Sequence, residues 1–524
     1  MKNPWAVWRV SAAPGADAAP WAGWRVFLAS FTWFACTAWL RPLALPDEGR
    51  YVGVALEMLR SGDWTTPTLD GLPFFHKPPL FYWITALALD RFGTHVWAAR
   101  VASMLAGAAA VTLLHASVRD WLGARPARIA ALVLATQPLF YGSTQYANLD
   151  ALVASCICAA VLLGARALLH LEAGAGWRRE LAAAYGAAAL GVLAKGLIGG
   201  VFPVLVLGLW LVSRRRWHDV RLLVWWPGWV LFLVIVLPWH LAAERAHPGF
   251  LHYYFVVQQF QRYATTGFNN PQPFWFYLPV LLLGVFPWSG WLLPRIAAAH
   301  PRVGHGPAVV RLMWIWLATV AAFFSAPQSK LIGYILPALP PLAVLAALAI
   351  GTPVPGTRRH AAGWVCLALA LCIDVGTVVG VARSHPNSAR ELALTLGARR
   401  APGEGIAFID DYVYDVPFYL DDTTPVFVVA DWDPEQIQRH DNGRRELSDA
   451  GAFAPALAAQ RLLGTAAFAR ALCDGRIGWV IAPLDGLARL PVLARAPRVA
   501  ANDKRVLVRT DVADPLMRQA WDCH

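Results

Sequence analysis

The chain reads as a polytopic α-helical membrane protein with a small C-terminal α/β domain. Three observations predict this. First, 57% of its 524 residues are apolar, only 15% are charged and 26 are tryptophan, whereas a soluble domain carries nearer a quarter charged residues. Second, apolar runs recur from residue 21 to about residue 383 and then stop; about 20 such residues suffice to cross a bilayer. Third, arginines cluster on every second connection between the runs, at Arg119/Arg125/Arg128, Arg178/Arg179, Arg214/Arg215/Arg216/Arg221, Arg295/Arg302/Arg311 and Arg358/Arg359. Topology therefore explains the net charge of +12, and no nucleic-acid partner is expected.

The first run, residues 21–40, follows the small-residue stretch Ser11–Pro20. A cleavable signal has the reverse order, so this span is expected to stay as an anchor. Further spans are expected near 97–118, 127–143, 149–170, 180–194, 198–213, 222–240, 273–294, 309–326, 331–351 and 361–383. The total is about 11–13, the upper figure counting segments such as 78–92 that have the length of a half-buried helix. The positive-inside rule puts the N-terminus and the arginine loops in the cytoplasm. Loops 41–96, 144–148, 195–197, 241–272 and 327–330 then face the other side, as does the tail.

Residues 1–384 are thus expected to form a transmembrane domain with two large outer loops, 41–96 and 241–272. Residues 385–524 are expected to form the α/β domain. Candidate strands there are Ile406–Asp410, Val426–Ala430, Trp479–Ala482 and Val506–Arg509, with helical patterns near 388–399 and 451–472. Nothing in this tail resembles a catalytic motif. Cys36, Cys156, Cys158, Cys366 and Cys372 lie in apolar segments and read as small core residues. Cys473 and Cys523 lie in the tail, where a disulfide and two free thiols are equally open.

Polar groups concentrate on the outer face. Asp47, Glu48, Arg50 and Tyr51 follow directly on the first run, and charge at the exit of a span is costly to place unless it serves a site. An amphipathic stretch, Val52–Leu59, and the turn Ser61-Gly62-Asp63 come next. His76-Lys77-Pro78-Pro79 closes the same loop; two prolines stiffen the backbone behind the lysine, and a fixed ammonium at headgroup depth suits a phosphate. His76 has no metal-ligand pattern around it, and no metal is expected. Asp150 opens a span, Lys195 ends one, and Lys330 precedes Tyr334 on the same face. The loop at 241–272 carries His252, Tyr253, Tyr254, Gln258, Gln259, Arg262 and Tyr263, groups that line sugar sites and also form interfacial belts. Jointly these groups fit a site for an anionic, lipid-linked substrate.

Three stretches carry a family resemblance: Leu45-Pro46-Asp47-Glu48-Gly49-Arg50-Tyr51, Met58-Leu59-Arg60-Ser61-Gly62-Asp63-Trp64 and Gly71-Leu72-Pro73-Phe74-Phe75-His76-Lys77-Pro78-Pro79-Leu80-Phe81-Tyr82-Trp83. They resemble the opening of bacterial aminoarabinose–lipid A transferases, relatives of the protein O-mannosyltransferases within the GT-C glycosyltransferases. Ala194-Lys195-Gly196, Pro273–Pro279, Ser329-Lys330-Leu331 and Tyr334–Pro337 continue the match, which covers most of residues 21–350. The chain departs from the family at His76, where an acid is usual, and at Val257-Gln258-Gln259-Phe260, where a stretch containing His and Glu is usual.

The resemblance implies a GT-C fold in a bacterial inner membrane, with site and tail in the periplasm. It implies an enzyme moving a sugar, such as 4-amino-4-deoxy-L-arabinose, from undecaprenyl phosphate to lipid A. The lipid-linked sugar is a co-substrate, and no cofactor is implied. Family roles carried onto matching positions would make Asp47 and Asp150 the catalytic acids and put Arg50, Lys77, Lys195 and Tyr334 at the carrier phosphate or its surroundings; Glu48, His76, Arg262 and Lys330, polar groups of the same outer face, are expected to bind substrate beside them. Two alternatives stay open: a transferase acting on a protein or another polysaccharide, and a transporter of lipid-linked sugars. Transporters place their ions near the midplane and often repeat their halves; here the charges lie at one face and no repeat is evident.

Overall fold

Among the described residues, six helices are individually long and apolar enough to cross a bilayer: Val101–Leu122, Leu149–Glu172, Trp217–Ala246, Gly306–Ser325, Ile332–Ile350 and Arg358–Arg383. They belong to a computed structural model that describes residues 22–261, 271–292, 305–351, 356–384, 387–422, 424, 426–439, 442–490, 493, 496–511, 514–521 and 523. Trp21, Arg262, Arg295 and Arg302, and the stretch Ser11–Pro20, lie outside those residues. The protein is a multi-pass membrane protein.

The other expected spans are built from shorter helices. Ala22–Ala35 has 14 residues, about 21 Å of helix against about 30 Å of hydrocarbon. Ala124–Ala135 and Pro138–Thr144 share one apolar run, broken because Gln137 is extended ahead of Pro138. Arg178–Lys195 carries charge at both ends, and Ile198–Ser213 follows after a turn at Gly196. These two pack so closely that a Cβ on Gly199 would lie 2.2 Å from the backbone of Gly191; small residues permit this approach.

By compactness the chain divides into two units. The membrane unit comprises Met1–Leu40, Arg100–Leu241 and Asn270–Val381. The second comprises Arg41–Ala99, Ala242–Asn269 and Ala382–His524, so the two large loops group with the tail.

Within the second unit, the first loop is highly ordered. A helix runs over Asp47–Ser61, with both acids in its first turn, where the helix dipole favours them, and left-handed Gly62 after its last. β1 (Thr68–Leu69) and β2 (Leu72–Pro73) then form a hairpin. Its two turn residues, Asp70 and Gly71, both have positive φ, as a tight two-residue hairpin requires. The Lys77 motif lies between this hairpin and a helix at Leu80–Phe92.

The tail holds a six-stranded sheet of β3 (Ile406–Ile409), β4 (Val426–Val429), β5 (Leu462–Leu463), β6 (Trp479–Pro483), β7 (Arg498–Ala501) and β8 (Arg505–Arg509), in the order β5-β4-β3-β6-β8-β7. β5, β4, β3 and β6 are parallel, with Ile406 opposite both Val426 and Trp479, while β8 and β7 add an antiparallel edge. β3 and β4 are buried along their whole length, as a parallel sheet covered on both faces demands. The four strongest strand patterns in the sequence are thus strands. β5 and β7 were not predicted, and β5 interrupts the predicted helix 451–472. Ala407, Ile409, Phe427, Val429, Phe468 and Val480 form the core, and the Cys473–Cys523 disulfide packs against it.

Candidate active site

In the membrane unit the charges meet at the ends of two consecutive long helices. Asn148 caps the helix Leu149–Glu172, its side chain accepting the Asp150 N–H at 3.1 Å, which leaves Asp150 in the first turn. Lys195 ends the next helix, Arg178–Lys195, immediately before Gly196, and its ammonium forms an ion pair with Asp150. The same ammonium lies 4.5 Å from the centroid of the Tyr334 ring, a cation–π arrangement. Tyr334 belongs to a turn of 3₁₀ helix, Ile332–Ala338. Gly333 allows that turn to approach, since a Cβ there would lie 2.2 Å from Asp150 Oδ2. Lys330 is buried and donates to the carbonyls of Gln272, at 2.9 Å, and Pro327. It thereby ties the bridge between Pro271 and Ser329.

In the second unit the centre is Arg50, which forms ion pairs with Asp47 and with Glu446 of the helix Gly443–Ala452. The Tyr414 hydroxyl donates to Glu446 at 3.0 Å. Burial alone would raise the Glu446 carboxyl, but Arg50 and then His76 override it and hold it at about 2. Glu48 is fully buried, pairs with Arg41 and accepts the Ala44 N–H at 2.8 Å, so it braces the start of the helix. Gly49 lets the helix touch the tail backbone, where a Cβ would come within 2.9 Å of Asp415 N.

His76 is buried and stacks on Phe74, ring centroids 4.5 Å apart. Its Nε2 lies 3.9 Å from Asp449 Oδ2. Asp449 accepts the Tyr253 hydroxyl at 3.0 Å, and Gln258 donates to that hydroxyl at 2.8 Å. Burial, with Asp449 beside it, raises the Tyr253 phenol, so it stays protonated and donates. Lys77 is half-buried next to His76.

Asp47, Glu48, Arg50, His76 and Lys77 therefore share one unit, and Asp150, Lys195, Lys330 and Tyr334 the other; Arg262 lies outside the described residues. The sequence reading missed Glu446, Asp449 and Tyr414. Asn442 as a helix cap and two acids three residues apart on one face were legible signals of a helix. Nothing in them revealed that this face meets Arg50 and His76.

This architecture is that of the GT-C glycosyltransferases. The chain superposes on ArnT from Cupriavidus metallidurans bound to undecaprenyl phosphate with a TM-score of 0.79 and 25% identity, over 94% of this chain and 98% of that one. It shares the fold of the archaeal oligosaccharyltransferase AglB from Archaeoglobus fulgidus, at a TM-score of 0.53 and 14% identity over 90% of this chain and 70% of that one. Residues 76–241 match the family model of dolichyl-phosphate-mannose-protein mannosyltransferases. In sequence it is 33% identical to the undecaprenyl phosphate-α-4-amino-4-deoxy-L-arabinose arabinosyl transferase of Pseudomonas aeruginosa, over 69% of this chain and 67% of the relative. It is also 33% identical to the Erwinia tasmaniensis protein of that name, over 63% of this chain and 60% of that one. The chain belongs to this arabinosyl transferase family. Its match spans only about three fifths of the length of relatives such as that from Erwinia tasmaniensis.

Proposed function

We propose that the protein transfers 4-amino-4-deoxy-L-arabinose from undecaprenyl phosphate to a phosphate of lipid A, at the periplasmic face of a bacterial inner membrane. One observation carries the reading: two acids, Asp47 and Asp150, each stand in the first turn of a helix and each pair with a cation, Arg50 and Lys195. The Cys473–Cys523 disulfide supports an oxidising compartment for the tail.

In the proposed step an oxygen of the acceptor phosphate attacks the anomeric carbon of the sugar. The bond from that carbon to the carrier phosphate breaks, and undecaprenyl phosphate leaves with the electron pair, inverting the centre. Lys77 or Arg50 stabilises the charge growing on the leaving phosphate. An acceptor phosphate is already ionised at neutral pH, so no strong base is needed; Asp47 or Asp150 orients the acceptor or offsets positive charge on the sugar. The transfer is proposed to need no metal, so it should persist in a chelator.

Asp47→Asn and Lys77→Ala should each lower transfer at least about 100-fold, the usual effect of removing one charge-stabilising group, with the fold intact by circular dichroism. Full activity in both would sink the mechanism. Mass spectrometry of lipid A from a deletion strain tests the acceptor: aminoarabinose-free lipid A is expected, and unchanged lipid A would point to a protein or polysaccharide acceptor.

A further inference from the structure

Asp449 stands one turn after Glu446 on the tail helix Gly443–Ala452. Residues three apart on a helix lie about 5–6 Å apart at Cβ, the width of a single pyranose ring. Glu446 holds Arg50, which is assigned above to the donor phosphate. Asp449 keeps 28% of its side chain exposed while accepting the Tyr253 hydroxyl at 3.0 Å. Two rings flank it, Tyr253 through that bond and His76 with Nε2 at 3.9 Å, and both belong to a packed set of rings. Tyr253 packs edge-on against Phe453 at 5.5 Å and lies 6.0 Å from His76, and Phe75 packs against Phe250 at 4.8 Å and Phe453 at 5.1 Å. A part-exposed carboxylate beside aromatic side chains is an environment that suits an alkylammonium, through a charge-assisted hydrogen bond and nearby ring faces.

We propose that Asp449, oriented by Tyr253, selects the donor by the ammonium group of its sugar. The inference rests on the aminosugar reading above. It gives the tail helix two tasks: Glu446 positions the phosphate-binding arginine, and Asp449, one turn on, reads the substituent across the ring. A neutral hydroxyl in place of the ammonium would exchange a charge-assisted hydrogen bond for a weaker neutral one, so the amino donor is favoured.

The test uses the purified full chain, lipid A as acceptor and two donors: undecaprenyl phosphate carrying 4-amino-4-deoxy-L-arabinose, and undecaprenyl phosphate carrying L-arabinose. Wild type should prefer the aminosugar. Asp449→Asn should lower kcat/KM for the amino donor about 10- to 100-fold, the range for a hydrogen bond to a charged group, and for the arabinose donor less than threefold. The preference would then collapse. Equal loss with both donors would overturn the proposal, since it would mean that Asp449 only orders Tyr253. A wild type indifferent to the substituent would overturn it too. If wild type transfers neither donor, the aminosugar reading itself fails. Should Asp449→Asn not fold, Asp449→Glu decides, with loss confined to the amino donor expected and equal loss overturning.

Discussion

The ion pair of Asp150 with Lys195 joins residues 45 apart in the chain, whereas Arg50 meets Glu446 across 396. The first is closed by two long helices in succession, so their ends meet as soon as they pack. It is a single pair, with 13% and 15% of the side chains exposed. The second is a network in which Arg50 answers to two acids and Glu446 also accepts from Tyr414. The local pair is thus exposed to loss of either partner, while the distant one is buffered at the arginine and depends on the tail staying folded.

That dependence gives the largest expected effect. The disulfide closes a sequence separation of 50 residues, for which chain entropy predicts about 4 kcal/mol. Cys473→Ser should lower the unfolding transition of the second unit and leave the helical signal of the membrane unit; an unmoved transition would show that the tail does not need its staple. Next, Asp150→Asn leaves Lys195 without its counter-charge and should destabilise by about 3 kcal/mol, the lower end for a broken buried pair. The double variant Asp150→Asn/Lys195→Met should be less damaged than the single one. Glu446→Gln should cost less, because Asp47 still faces Arg50, and a larger loss than in Asp150→Asn would break the comparison.

Acid provides a third probe. Glu446 is held at about 2 against an ordinary value of 4.5. Its depressed pKa stabilises the fold above the ordinary value, and that contribution is lost as pH falls through about 2. Urea titrations between pH 5 and 2 should show this slope in wild type and a shallower one in Glu446→Gln. The smallest effect is expected at Gly333. The added methyl of Gly333→Ala would meet Asp150, and such crowding costs about 1 kcal/mol where the neighbour can yield. Thermal unfolding would report it, and no shift would mean that the turn relaxes freely.

Much of this architecture was legible because its signals are local. Apolar length and arginine spacing located helices at nearly every predicted span, since a crossing needs about 20 apolar residues, although several of those runs are divided among shorter helices. Ile406, Val426, Trp479 and Val506 announced strands by β-branched and aromatic composition. Lys77, followed by Pro78-Pro79, announced a rigid loop. Leu462–Leu463 did not read as a strand, since two residues carry no alternation and pair only because β4 is beside them.

By itself, the sequence determined the membrane class, the order of the helices, four strands of the tail and the charges of Asp47, Glu48 and Arg50 set side by side. Each follows from composition or short spacing, which hydration and backbone sterics convert directly into local structure. Tertiary structure alone decided that the two outer loops group with the tail, that Glu48 braces against Arg41, and that Glu446 and Asp449 stand at Arg50 and His76. Those contacts join residues remote in the chain, and no local preference encodes a partner. They form because buried charge must find its counter-charge, and only the folded chain brings one within reach.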